Sequence, residues 1–215
     1  MKLKKKLLKD CYLYAVVDKK ALQISVYGIV NRLRHSGISI IQFRDKNSSE
    51  GDVLKEALRL SKLLSKSETL FIINDYLDIA KLSLADGLHI GQKDVSIKLA
   101  RKVLGAHKII GISCHSLDQA IEAQKKGADY IGIGPIFSTP TKPEYKAVGL
   151  DLIKKVRKKI HIPFFAIGGI NQDNIDDVIL AGANRVAICR AILDDKDISS
   201  RVKFFEKRFP SCPCV

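Results

Sequence analysis

No stretch of this chain approaches the roughly 20 consecutive apolar residues that a membrane-crossing helix needs, because Lys, Arg or Asp interrupts every hydrophobic run. A membrane-spanning helix is excluded. Cysteine is sparse as well: Cys11, Cys114, Cys189, Cys212 and Cys214 are odd in number and scattered, which is not a disulfide framework. The terminal Cys212-Pro-Cys214 pair lacks the two-residue spacing of a redox motif or a zinc knuckle. No two histidines stand at zinc-ligand spacing, and zinc-finger, RNP and helix-turn-helix patterns are missing. Residues 1–10 are basic, but Leu7-Leu8 is far too short for the apolar centre of a secretion signal. A cytoplasmic location is expected.

The chain does have enough apolar material for a core, with 46% of its 215 residues hydrophobic and 28% charged. Lys and Arg number 37 against 23 Asp and Glu, an excess that suits nucleic acid, anionic lipid or a phosphorylated substrate. The placement of the charge separates these. Five lysines fall in the first ten residues, and Lys154, Lys155, Arg157, Lys158 and Lys159 share one helical segment with an apolar stripe of Leu152, Ile153 and Val156. That pattern describes a solvated outer face, so binding of nucleic acid is not expected.

Short runs rich in Val, Ile and aromatics recur at 12–17, 38–43, 70–73, 87–90, 109–113, 130–134, 163–167 and 185–188. Helical spacing follows each, near 22–35, 49–65, 76–84, 95–103, 116–126, 149–159, 172–181 and 197–208. Ser48-Ser49-Glu50 offers a cap for the second helix, whose Val53, Leu54, Ala57, Leu58 and Leu60 form a stripe. Runs such as Ile38-Ser39-Ile40-Ile41 are nearly continuous rather than alternating, as in parallel strands covered by helices. Eight β-then-α units predict a single-domain α/β protein, a (β/α)8 TIM barrel over 11–208, with a doubly wound open sheet as the other candidate. Residues 1–10 are either an extra helix closing the barrel floor or a solubilising arm, and 209–215 form a tail.

A barrel demands that reactive residues follow the strands, on the face built by the βα loops. In Gln42-Phe43-Arg44-Asp45-Lys46, alternation sends Gln42, Arg44 and Lys46 to one side and Phe43 to the other. An Arg fork and a Lys point charge suit a polyphosphate, although salt bridges to nearby acids use the same groups. Asn74-Asp75 ends the third strand and Asp94 follows the fourth, so the two carboxylates are candidates to converge on Mg²⁺ beside a phosphate. Asp75 is equally placed to cap the next helix. His89, inside a strand pattern, reads as a core histidine, whereas His115 at the end of the fifth strand stands where it can face the site. The long polar loop from Gly132 to Pro143 carries Ser138, Thr139, Pro140, Thr141 and Lys142. Gly168-Gly169 and Cys189-Arg190 follow the last two strands, where backbone amides approach phosphates closely. Two separate phosphate pockets are expected, a basic one near strands two to four and a glycine-lined one near strands six to eight.

Taken together, Gln42-x-Arg44-x-Lys46, Asn74-Asp75-x-x-Asp78-x-Ala80, Asp86-Gly87-x-His89-x-Gly91-Gln92-x-Asp94, Gly111-x-Ser113-x-His115, Gly127-Ala128-Asp129-Tyr130, Gly132-x-Gly134-Pro135, Thr139-x-Thr141-Lys142 and Ile167-Gly168-Gly169-Ile170 resemble the motifs of the thiamine-phosphate synthase family, across about residues 12–192. The resemblance implies an enzyme that joins 4-amino-2-methyl-5-hydroxymethylpyrimidine diphosphate to 4-methyl-5-(2-hydroxyethyl)thiazole phosphate, or its carboxylated form, with release of pyrophosphate. It implies that Gln42, Arg44, Lys46, Asn74, Ser113 and Lys142 hold the pyrimidine diphosphate, Arg44, Lys46, Ser113 and Lys142 being catalytic. Asp75 and Asp94 would hold Mg²⁺, and Thr139, Pro140, Thr141, Gly169, Cys189 and Arg190 would border the thiazole phosphate. The family often has an apolar residue followed by Ser where this chain has Cys189-Arg190. Its chemistry is dissociative and needs no side-chain nucleophile, so Cys114 and Cys189 have no covalent role. The partners implied are small phosphorylated molecules, not nucleic acid or membrane, with a homo-oligomer left open. Two other readings share the barrel: a thiazole tautomerase, which would not need the diphosphate and Mg²⁺ set, and a non-catalytic regulatory or nucleic-acid-binding relative.

Overall fold

The computed structural model describes residues 2–141, 145–194 and 197–209. Eight parallel strands run β1 (Leu13–Asp18), β2 (Ile40–Arg44), β3 (Leu70–Asn74), β4 (Gly87–Ile90), β5 (Ile109–Cys114), β6 (Tyr130–Ile133), β7 (Phe164–Ile167) and β8 (Val186–Ile188). They pair in chain order and β8 returns to β1, so the sheet is a closed barrel and not an open one. Around it lie α1 (Lys2–Asp10), α2 (Val26–His35), α3 (Glu50–Leu64), α4 (Leu77–Leu82), α5 (Ile97–Leu104), α6 (Leu117–Lys125), α7 (Leu150–Lys159), α8 (Ile175–Leu180), α9 (Arg190–Leu193) and α10 (Ile198–Glu206).

Local chemistry sets where the helices begin. Ser25, Ser49, Ser96 and Ser116 cap α2, α3, α5 and α6, each hydroxyl accepting a backbone N–H three residues on. The helix expected from 22 starts only at Val26, because Lys19–Ala21 form a short 3₁₀ turn and Ser25 supplies the cap. The helix expected from 172 starts at Ile175, since the side chains of Asn171 and Asn174 hold the preceding turn. The four-residue α9 is too short to leave a periodic signal. On α7, Leu152, Ile153 and Val156 are buried while the five bases stay exposed, as the stripe predicts.

Strand alternation divides two cores. Outward residues such as Ala15, Val17, Ile41, Phe43, Ile73 and Leu88 pack against the helix layer. Inward residues, among them Tyr14, Val16, Ile40, Leu70, Ile72, Ile109, Tyr130 and Phe165, fill the barrel. Helix α1 closes the floor: Leu8, 2% exposed, joins the interior group. Its lysines reach acids that precede strands, Lys4 bonding Asp86 and Lys5 lying 2.7 Å from Asp129, while Arg185 donates to the Lys9 carbonyl. Phe209 stacks on Tyr12 at 6.1 Å, so barrel packing continues to the end of the described chain. Among the described residues, no helix is long and apolar enough to cross a membrane.

Candidate active site

A cavity of about 580 Å³ opens where the strands end, and residues from both expected pockets line it. Gln42, Arg44, Asn74 and Ser113 come from β2, β3 and β5, and Thr139, Pro140, Thr141, Gly169, Cys189 and Arg190 come from the opposite side. The expectation of two separate pockets is therefore corrected to one cavity, because the ring of strands brings the loops after β6 to β8 round to those after β2 and β3. Lys46, Asp75 and Asp94 follow the strands but do not line the cavity. Lys142, Cys212 and Cys214 lie outside the described residues.

Arg44 is held by an acid. Its Nη1 lies 2.5 Å from Asp18 Oδ2, with the two side chains 11% and 3% exposed. Its Nε, like Asn74 Nδ2, is buried without a hydrogen-bond partner. Two unmet donors on cavity-lining side chains are costly unless a ligand rich in acceptors meets them.

Beside them, Lys46 Nζ lies 2.7 Å from Asp75 Oδ2. The salt-bridge use of these cations and their placement beside the site thus occur together. Asp75 does not cap the next helix: the capping position of α4 is Tyr76, which makes no side-chain cap bond. Instead Asp75 sits at φ +64°, a conformation uncommon for a non-glycine residue. Burial raises its carboxyl pKa, the Asp94 carboxyl within hydrogen-bonding reach raises it further, and Lys46 opposes both. Asp94 Oδ2 in turn accepts the Gly91 N–H at 2.6 Å. Two hard oxygen donors crowded together fit a divalent cation. Among the described residues, no three metal-ligating side chains gather.

The cavity floor holds three aromatic groups to which the sequence motifs gave no site role. Tyr14, Tyr130 and Phe165 pack edge to face, with ring centroids 5.2 to 5.8 Å apart. Gln42 Nε2 donates to Tyr14 Oη at 2.7 Å, the two phenol oxygens are 2.8 Å apart, and Tyr130 Oη lies 2.9 Å from His89 Nδ1. His89 Nε2 is 2.9 Å from Ser113 Oγ. His89 is thus a satisfied core histidine that also lines the cavity. The signal for the tyrosines was present in the alternation: Tyr14 and Tyr130 share the inward parity of Gln42 and Ser113. Gly111 makes room for them, since a Cβ there would lie 2.0 Å from the Tyr130 ring.

At the glycine side, the β6 and β7 loops are joined by Ile136 N–H to Ile167 O and Phe137 N–H to Gly168 O. Gly169 has φ +67°, and a Cβ would meet Phe137 Cβ and Ser138 O at 2.7 Å. Asn174 Nδ2 donates to the Gly169 carbonyl at 2.9 Å and steadies the turn. His115 does face the cavity, stacked on Tyr145 with centroids 4.5 Å apart.

Residues 13–192 match the family model described as thiamine monophosphate synthase. The chain belongs to the thiamine monophosphate synthase family. It is 40% identical over 201 residues to the thiamine-phosphate synthase of Clostridioides difficile (strain 630), covering 93% of this chain and 96% of that one. It is 42% identical over 204 residues to the thiamine-phosphate synthase of Methanosarcina mazei, covering 94% and 85%. Among solved structures, the thiamine phosphate pyrophosphorylase from Pyrococcus furiosus superposes with a TM-score of 0.84 at 32% identity, over 92% of this chain and 95% of that one.

Within the thiamine monophosphate synthase family, this member carries Cys189-Arg190 at the end of β8. Arg190 opens α9 and lines the cavity, with its guanidinium 4.0 Å from Asp194. Burial pushes the Cys189 thiol up to about 11 and the Cys114 thiol up to about 12, so both stay protonated and poorly nucleophilic near neutrality.

Proposed function

We propose that this cavity binds the pyrimidine diphosphate against Gln42, Arg44, Asn74 and Ser113, with Lys46 reaching it from beside the cavity, and the thiazole phosphate against Thr139, Pro140, Thr141, Gly169, Cys189 and Arg190. Thiamine-phosphate synthesis is the transferase activity that family membership assigns to the chain. The residue roles are supported above all by the partnerless buried donors Arg44 Nε and Asn74 Nδ2, which an acceptor-rich diphosphate would satisfy. In the reaction the methylene C–O bond breaks with its electron pair leaving on pyrophosphate, and the thiazole nitrogen lone pair forms the new C–N bond. Arg44 and Lys46 stabilise the charge growing on the departing group, as Lys142 does by the family resemblance, and the loops after β6 to β8 orient the nucleophile. Asp75 and Asp94 would hold Mg²⁺, which when bound supplies positive charge to the leaving diphosphate. No protein nucleophile takes part. The substrates are dissolved phosphorylated molecules, in keeping with a cytoplasmic enzyme.

The test is formation of thiamine phosphate by the purified chain from both substrates, with Mg²⁺ and with chelator, beside Asp94→Ala and Arg44→Ala. Metal-dependent product that collapses in both variants is expected. Full product in either variant would overturn the assigned diphosphate site.

A further inference from the structure

The five groups under the cavity form one unbroken chain across the barrel: Gln42 Nε2, Tyr14 Oη, Tyr130 Oη, His89 Nδ1 with Nε2, and Ser113 Oγ, each step 2.7 to 2.9 Å. Its direction follows from the Gln42 end, where the amide nitrogen faces Tyr14 Oη. The amide nitrogen of Gln42 only donates. Tyr14 Oη therefore accepts from Gln42, and its own proton, buried beside Tyr130, has the Tyr130 oxygen as acceptor. Tyr130 then donates to His89 Nδ1. That ring nitrogen being an acceptor, the neutral imidazole carries its proton on Nε2 and donates to Ser113 Oγ. One lone pair of the Ser113 oxygen accepts from His89, and its hydrogen, no longer taken up by the ring, is left for the cavity it lines. Burial raises the pKa of both phenols, which keeps the protons that the chain needs.

We propose that Tyr14 and Tyr130 are positioning residues that transmit the donor polarity of Gln42 through His89, fixing its Nε2–H tautomer and freeing the Ser113 hydroxyl hydrogen to donate to an anionic ligand. This rests on the diphosphate reading of the cavity only for the identity of that anion. An acceptor-only diphosphate oxygen is favoured by such a donor over a group that presents an N–H or O–H at the same point, which meets only the remaining lone pair. Selection between these two kinds of group is thus wired from a residue on β2 to one on β5.

The decisive observation is the tautomer of His89 in the substrate-free, metal-free protein, read from long-range ¹H–¹⁵N correlations and assigned with His89→Asn. Nε2–H is expected in the wild type, and Nδ1–H there overturns the proposal without any variant. Gln42→Glu presents an acceptor at the start of the chain, so every bond reverses and His89 moves to Nδ1–H. Adding Tyr14→Phe cuts the chain, and the double variant returns to Nε2–H. The two variants carry the same charge, so inorganic pyrophosphate titrated by calorimetry should bind at least about tenfold more tightly to the double variant than to Gln42→Glu, the size of one hydrogen bond to a charged group. An unchanged tautomer in Gln42→Glu, or equal affinities for the pair, overturns the relay. The tautomers are read without substrate, so failure of thiamine-phosphate formation alone overturns the proposed reaction and leaves the relay standing.

Discussion

Asp18 and Arg44 are the last register pair of the β1–β2 ladder, and Arg44 Nη1 lies 2.5 Å from Asp18 Oδ2 at the cavity edge. The acid both neutralises the guanidinium and fixes which of its nitrogens remain for a ligand. Asp18→Asn keeps the shape and removes the charge, so kcat/KM for the pyrimidine diphosphate should fall about tenfold as Arg44 loses its posture, while the KM for the thiazole phosphate stays put. Arg44→Ala does more, because it strands a carboxylate that is 3% exposed. Urea unfolding should show that variant about 3 kcal/mol less stable.

Gly169→Ala tests the opposite side of the cavity. The new methyl group meets Phe137 Cβ and Ser138 O at 2.7 Å and sits on a backbone with positive φ. The KM for the thiazole phosphate should rise at least about tenfold, with the KM for the pyrimidine diphosphate within about twofold of wild type. Steady-state kinetics with each substrate varied separates the two. An equal rise in both would show that the turn supports the whole cavity and not the thiazole side.

Leu8→Ala removes the apolar group by which α1 joins the barrel interior. Truncation of a side chain 2% exposed should cost about 2 to 5 kcal/mol in urea unfolding. Both KM values should hold, because α1 bonds to the residues that precede β4 and β6, at the far end from the cavity.

Cys114→Ala should retain turnover within about tenfold, since a thiol held up to about 12 is not a nucleophile at neutral pH. The raised values also set a pH dependence. Between the ordinary thiol value of 9.0 and the folded values of about 12 for Cys114 and about 11 for Cys189, the unfolded chain releases protons that the folded chain keeps. Stability contributed by the neutral thiols is therefore whole below pH 9 and declines as pH rises through that window. The melting temperature should fall less steeply above pH 9 in the Cys114→Ala, Cys189→Ala double variant than in the wild type.

Much of this protein is written locally. Apolar runs of four to six residues followed by capped amphipathic segments specify β-then-α units, and eight in succession favour a parallel barrel over an open sheet, with the loops after the strands on one face. For the same reason Gln42, Arg44 and Asn74 were legible as residues facing the cavity: a residue at a strand end, with known parity, has its side of the sheet decided by its neighbours. The tertiary structure decided everything that depends on distant pairs. Asp75 reads equally well as a helix cap until Asp94 and Lys46 arrive beside it from the loops after β4 and β2. Two phosphate pockets become one cavity only when β8 pairs with β1. The lysines of residues 2–10 fit a solubilising arm as well as a helix closing the floor until Asp86 and Asp129 gather there. Tyr14 and Tyr130 are 116 residues apart, and their hydroxyls meet because barrel closure and strand stagger bring two inward positions to one level. Local sequence sets the parity of each strand, whereas stagger arises from all eight strands at once, so which inward side chains touch was settled only by the folded whole.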